Sequence, residues 1–196
     1  FAPDELETAL IESSPRMERL WKAWQERPGT RTMLFCCGRR HARFVADWLQ
    51  KRGVAAAAVF SAEGSDDRAS AMAELSAGRL QALCAVDLYN EGIDLPLVDR
   101  VVMLRPTESG VLLTQQLGRG LRTAPGKDRL LVLDFVGNHR LFAWRMRHIL
   151  SLAGLDGSTR DLRRLLKGEP LPLTPGCLVD VELAARDVLR HFLPRG

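Results

Sequence analysis

The sequence predicts an α/β fold in which a parallel sheet carries helices on both faces. Two observations predict it. Between residues 32 and 135, short apolar runs alternate with helical stretches, the pattern of strand–helix–strand units. The apolar runs are continuous, without the period-two alternation of a sheet that is wet on one side, so both faces of each strand are expected to be covered.

The elements follow in chain order. Residues 4–27 carry an interrupted apolar face of Leu6, Ala9, Leu10, Met17, Leu20, Trp21 and Trp24, which predicts a helix closed by Pro28-Gly29. A first strand is expected over 32–37, followed by an amphipathic helix over 40–51 built on Phe44, Val45, Trp48 and Leu49. Residues 54–60 are a second strand, and 66–76 a helix opened by Ser65-Asp66. Strands are expected at 80–86 and 98–104, a helix at 108–121 and a fifth strand at 130–135. Beyond about Asn138 the pattern becomes helical, at 141–152, 159–167 and 179–192, with the proline-rich GEPLPLTPG (168–176) expected as a rigid extended linker. That tail has no strand to add to the sheet; it packs on the sheet domain or leads into another. The expected division is a helical lead-in at 1–30, a sheet domain at 31–153 and a helical C-terminal extension at 154–196.

Composition narrows the class. At 196 residues, 46% hydrophobic and 27% charged, the chain fits a soluble globular protein of one domain, with room for an appendage. No apolar run approaches the ~18 residues of a membrane span, so no membrane partner is expected. The acidic start FAPDELE does not resemble a secretory signal, and Phe1 in place of Met predicts a segment of a longer chain. A net charge of +4 permits nucleic acid as a partner without requiring it. The four cysteines (Cys36, Cys37, Cys84, Cys177) and four scattered histidines show no metal-ligand spacing. No metal site is expected, and buried free thiols agree with a cytoplasmic location.

In open parallel sheets, ligands gather at the carboxyl ends of strands. There this chain puts Gly38-Arg39-Arg40-His41, Asp87 to Asp94, Arg105 to Ser109, and Gly137-Asn138-His139-Arg140. The stretch QQLGRGLR (115–122) follows at once on the fourth-strand loop. At about 100° per residue, Gln115, Arg119 and Arg122 share one stripe, with Leu113, Leu117 and Leu121 roughly opposite. Either the arginines are an ordinary solvated face, or they present two guanidinium groups and an amide to a ligand outside the domain. Gly118 and Gly120, each costing about 1 kcal/mol against alanine, suggest a short or distorted helix or a close backbone approach. No phosphate-cradling GxxxxGK[ST], no GxGxxG and no nucleophile elbow occurs. Groups suited to phosphate recognition without a loop to hold a nucleotide suggest one half of a composite site.

QQLGRGLR carries the pattern QxxGRxxR and resembles motif VI of superfamily 2 helicases and translocases. DLYNEGIDLP (87–96) resembles their motif V, and FCCGRRHA their motif IV. With LRPTES and LDFVGNHR, the set is most similar to a bacterial DEAD/DEAH-type group whose longer members often add a phospholipase-D-like nuclease domain. The segment GEPLPLTPGCLVD is also similar to the stretch just beyond that group's helicase core. The resemblance covers about residues 16–196. It implies a RecA-like C-terminal motor lobe of an ATP-dependent helicase, with a helical extension.

The resemblance also implies roles. Arg119 and Arg122 match arginine fingers, and Gln115 the polar residue coupling nucleotide to nucleic acid. Gly92 and Asp94 match the motif V residues beside the nucleotide. Gly38, Arg39, Arg40 and Asn90 fall on the nucleic-acid track. ATP and Mg²⁺ would be held mainly by an N-terminal RecA-like lobe absent from this chain, with nucleic acid, DNA by expectation, as the partner. Two positions depart from the pattern. The Ser or Thr of motif IV that contacts phosphate is Gly38, leaving Arg39 or Arg40 to take over, and the Thr six residues before the motif V glycine is Val86. A non-catalytic nucleic-acid or protein binding module that keeps the fold is the alternative. A nucleotide-sugar or dinucleotide enzyme is disfavoured by the missing glycine fingerprint.

Overall fold

A computed structural model describes residues 3–12, 14–60, 66–86, 97–105, 124, 125, 127–135, 139–175, 178, 179, 181, 185–187 and 190. The amino-terminal stretch forms two helices in place of the single one expected, α1 (Pro3–Glu12) and α2 (Ser14–Glu26). Pro15 explains the break. It has no N–H to donate, and its ring would clash with a carbonyl one turn earlier, but it is tolerated in a first helical turn.

Five strands follow: β1 (Thr32–Phe35), β2 (Ala56–Val59), β3 (Ala82–Ala85), β4 (Arg100–Met103) and β5 (Leu131–Asp134). Helix α3 (Arg39–Gln50) joins β1 to β2, and α4 (Arg68–Ser76) joins β2 to β3. All pairings are parallel, in the order β2-β3-β1-β4-β5. The chain leaves β1 toward one edge and later returns to build β4 on the other side of it. The carboxyl ends of β3, β1 and β4 therefore lie side by side, where a parallel sheet opens a crevice.

Strand parity explains the continuous apolar runs. Ala58, Cys84, Leu34, Val102 and Leu133 pair in one register row across the sheet. They share a core with Met17 and Leu20 of α2 and Ala42, Val45 and Leu49 of α3. The alternate residues Val59, Ala85, Phe35 and Met103 form the next row and are also buried. Ala71 and Leu75 of α4, buried outside the first core, accompany that second face.

Helix α2 is held near both its ends by arginines. Near its start, Arg16 Nη2 donates to the carbonyls of Leu104 and Phe135, both at 2.9 Å. At its end, the buried Arg100 donates from Nη1 to the carbonyls of Trp24 (3.2 Å) and Arg27 (2.9 Å), and from Nε to Thr32 Oγ1 (2.8 Å). Its guanidinium lies 3.6 Å from the centre of the Trp24 ring. Burial lowers the Arg100 pKa to about 10, opposed by the neighbouring Asp99, so the group stays charged at neutral pH. The Trp24 carbonyl, in the last turn of α2, is thereby satisfied.

The described residues fall into two compact units, dividing between Phe135 and His139, ahead of the expected boundary at 153/154. The second unit contains α5 (His139–Leu152) and α6 (Thr159–Lys167). Phe142, Met146 and Leu150 of α5 pack against Leu162, Leu165 and Leu166 of α6. Arg147 ties the turn between them, donating to the Gly157 carbonyl (2.8 Å) and Thr159 Oγ1 (2.9 Å). Gly157 has φ +66°, and a Cβ there would sit 2.5 Å from the Arg147 carbonyl oxygen, so only glycine fits. The proline-rich stretch is not a free spacer. Leu171 and Leu173 pack on the helical core, and the Thr174 N–H donates to the Ala153 carbonyl (2.8 Å). Of the helix expected at 179–192, residues 185–187 and 190 are helical, whereas Val179 and Val181 are not, so it begins later than expected. The helix expected at 108–121 lies outside the described residues. None of the described helices is long and apolar enough to cross a membrane.

Candidate functional site

The carboxyl end of β1 leads through Cys36 and Cys37 into Gly38, the N-cap of α3. Gly38 is extended (φ −163°, ψ 176°) and offers α3 no side-chain cap. The cap comes from elsewhere: Glu7 of α1, only 7% exposed, accepts the His41 N–H at 2.7 Å through Oε1. A helix N-terminus attracts negative charge through its unpaired N–H groups and dipole, and a carboxylate there is stabilising. A Cβ on Gly38 would lie 2.6 Å from Glu7 Oε1 and 2.8 Å from its carboxyl carbon. Glycine at position 38 therefore makes room for the chain's own carboxylate, and a side chain there would require the Glu7 carboxylate to shift. Arg39 and Arg40 sit on the first turn of α3 with their side chains exposed.

Behind this turn lie Cys37 and His41. Nδ1 of His41 accepts the Cys37 N–H at 3.4 Å and lies 3.1 Å from the thiol sulfur. With Nδ1 accepting from the backbone, its proton resides on Nε2, and the thiol is the second donor. Burial, and then the charge of Arg16, lower the His41 pKa to about 4. Burial, reinforced by the charges of Cys36 and Glu7, pushes Cys37 up to about 12. Both groups are neutral near pH 7, so the pair is a hydrogen bond and not an activated thiolate. Cys36 and Cys84 are buried and free as expected, whereas Cys37 is partly exposed.

The depressed His41 pKa has a consequence for stability. Between about pH 6.5 and 4 the unfolded chain takes up a proton that the folded chain refuses, so this contribution is complete above pH 6.5 and is lost as pH falls. The effect is about 3 kcal/mol at 1.36 kcal/mol per pKa unit. Urea unfolding at pH 7 and pH 4.5 is expected to show this loss in the natural chain and a smaller one in His41→Gln. Equal losses in the two proteins would remove His41 as the cause.

Arg16 binds where the loops begin. Its two acceptors, Leu104 and Phe135, close β4 and β5, and the segments following them in sequence carry Arg119, Arg122 and Gly137. Neither Arg16 nor Glu7 was singled out from sequence. Their partners are 88, 119 and 34 residues away, and no local spacing signals such contacts. Val86, standing where the resemblance expects threonine, is buried in the core shared with α2 and α3 and offers no hydroxyl. Gln115, Arg119, Arg122, Gly92, Asp94 and Asn90 lie outside the described residues. Among the described residues no group of three or more His, Cys, Asp or Glu side chains could hold a metal ion.

Residues 15–124 match the family model described as "Helicase conserved C-terminal domain". The chain is 34% identical over 121 residues to the Schizosaccharomyces pombe protein named "Putative mitochondrial ATP-dependent helicase irc3", covering 61% of this chain and 20% of that protein. It is 30% identical over 113 residues to the Saccharomyces cerevisiae "Putative ATP-dependent helicase IRC3", covering 58% of this chain and 16% of that one. The chain thus spans a fifth or less of the length of these relatives. Among solved structures, E. coli DEAD-box protein SrmB, bound to regulator of ribonuclease activity A, superposes with a TM-score of 0.57 at 25% identity, covering 68% of this chain and 78% of that one.

Proposed function

Because the chain belongs to the helicase conserved C-terminal domain family and has its RecA-like fold, we propose that it is the second motor lobe of an ATP-dependent nucleic-acid helicase or translocase. The observation that carries this reading is that the family match, over residues 15–124, spans β1 to β4 and QQLGRGLR. Arg119 and Arg122 are the arginine fingers of this proposal, and Gln115 couples nucleotide to nucleic acid. Gly92 and Asp94 lie beside the nucleotide. Gly38, Arg39, Arg40 and Asn90 belong to the nucleic-acid track, where the exposed Arg39 and Arg40 side chains meet backbone phosphates and the Gly38 turn is already capped by Glu7. The nucleic acid is DNA, and the location is cytoplasmic. The closer kinship, with the bacterial group that often adds a phospholipase-D-like nuclease domain, rests on the combination of VDLYNEGIDLP, LRPTES, QQLGRGLR and LDFVGNHR.

ATP and Mg²⁺ are held mainly by the preceding lobe, and what this chain supplies is positive charge for the transferring phosphoryl group. An arginine delivered from a second domain is worth about 10³–10⁵ in rate for such chemistry. The 196-residue chain alone is therefore expected to show no ATP turnover above buffer, and the same chain joined to its N-terminal lobe to show turnover stimulated by nucleic acid. Robust turnover by the isolated chain that survives Arg119→Ala would falsify the composite site.

A further inference from the structure

We propose that the outer face of α6 is a second nucleic-acid contact, made to backbone phosphates by Arg160, Arg163 and Lys167. The inference rests on the nucleic-acid reading above and adds a surface outside the sheet unit. Residues 139–175 hold seven Lys/Arg against three Asp/Glu, a surplus of four that equals the surplus of the whole chain, 28 against 24. The rest of the chain is balanced. Within this stretch Arg145 is buried, and Arg147 is bound to Gly157 and Thr159. Among the described side chains of this stretch, the exposed positive charge is therefore on α6.

The helix is built to present it. Leu162, Leu165 and Leu166 anchor one side in the helical core. On a helix of 100° per residue, Arg160, Arg163, Arg164 and Lys167 fall within an arc of about 100° on the opposite side. Arg160, Arg163 and Lys167 are exposed. Ser158 caps the start, accepting the Asp161 N–H at 3.2 Å, and Gly168 closes the end in the left-handed conformation. Arg160 to Lys167 spans about 10 Å at 1.5 Å per residue, room for about three phosphates of one strand at 3.4 Å of axis each. The opposing charge beside Arg164, Lys167 and Arg160 is exchangeable. Glu169 lies 3.6 Å from Arg164 and 3.7 Å from Lys167 on the surface, and Asp156 lies near Arg160. Exposed pairs of this kind are worth about 0–1 kcal/mol and yield to a polyanion. Phosphate backbone is the partner that rewards a rigid row of cations without apolar groups between them.

The test is fluorescence anisotropy of the 196-residue chain with a short labelled single-stranded DNA, its duplex and the matching RNA, across a salt series. The variant Arg160→Gln/Arg163→Gln/Lys167→Gln is expected to bind at least about 10-fold more weakly and to flatten the log–log salt slope by about 2–3. Glu169→Gln, which removes the opposing carboxylate, is expected to tighten binding about two-fold, so the prediction survives should the triple variant fail to fold. Unchanged affinity and slope in the triple variant, with weakening by Arg39→Ala/Arg40→Ala, would overturn the α6 contact and leave the motor reading standing. Absence of binding to every nucleic acid by every form would sink the nucleic-acid reading and this surface together. Equal binding to poly-glutamate would assign the face to acidic protein and overturn the proposal.

Discussion

Arg119→Ala in the two-lobed protein is expected to lower kcat for ATP hydrolysis by at least ~10²–10³, about 3–4 kcal/mol of transition-state stabilisation. On the proposed reading, apparent ATP affinity is expected to change much less, because ground-state holding would belong to the other lobe and the arginine would act where charge develops. Arg119→Lys does not restore the rate, since an ammonium cannot reproduce a planar fork of donors. On helical spacing Arg119 and Arg122 lie opposite Leu113, Leu117 and Leu121, so the variant is expected to keep its fold. Steady-state kinetics together with a thermal melt decide the matter. If Arg119→Ala unfolds the chain while the folded fraction keeps its turnover, the arginine is structural.

Leu34→Ala is expected to destabilise the sheet unit by about 2–5 kcal/mol, a large part of the ~5–15 kcal/mol that holds a domain together. Leu34 is fully buried in the central strand, flanked in register by Cys84 and Val102, and it shares its core with Met17, Leu20 and Val45. The core around it draws on β1, α2 and α3, so the site has little freedom to collapse around the lost atoms. Leu178, 90% exposed, is the control: Leu178→Ala should stay within about ±0.5 kcal/mol. Urea midpoints at constant m-value separate the two outcomes, and a loss below about 1 kcal/mol at Leu34 would contradict the two-faced packing of β1.

The sheet class was legible in the sequence because burial on both faces removes alternation. Ala56 to Phe60 and Ala82 to Val86 read as continuous apolar runs for that reason. The break at Pro15 was legible in principle, since the ring forbids an interior helical position, but the apolar residues on either side of it masked the signal. The family was legible from motif spacing, because each motif is a short run of residues close together in the chain. Strand order was not. The sequence orders the strands in time, whereas their neighbours depend on which crossover passes over β1.

The sequence by itself determined the α/β class, the helical tail and the motif set that marks a helicase lobe, since all three rest on residues close together in the chain. Only the tertiary structure revealed that Glu7 caps α3 across 34 residues and that Gly38 leaves it room. It alone showed Arg16 and Arg100 holding α2 at opposite ends of the strands, and the proline-rich stretch packing back on α5 and α6. The physical reason is the same in each case. A buried charge or an unpaired carbonyl must find a partner, and which partner it finds is set by packing in space, which leaves no periodic trace along the chain.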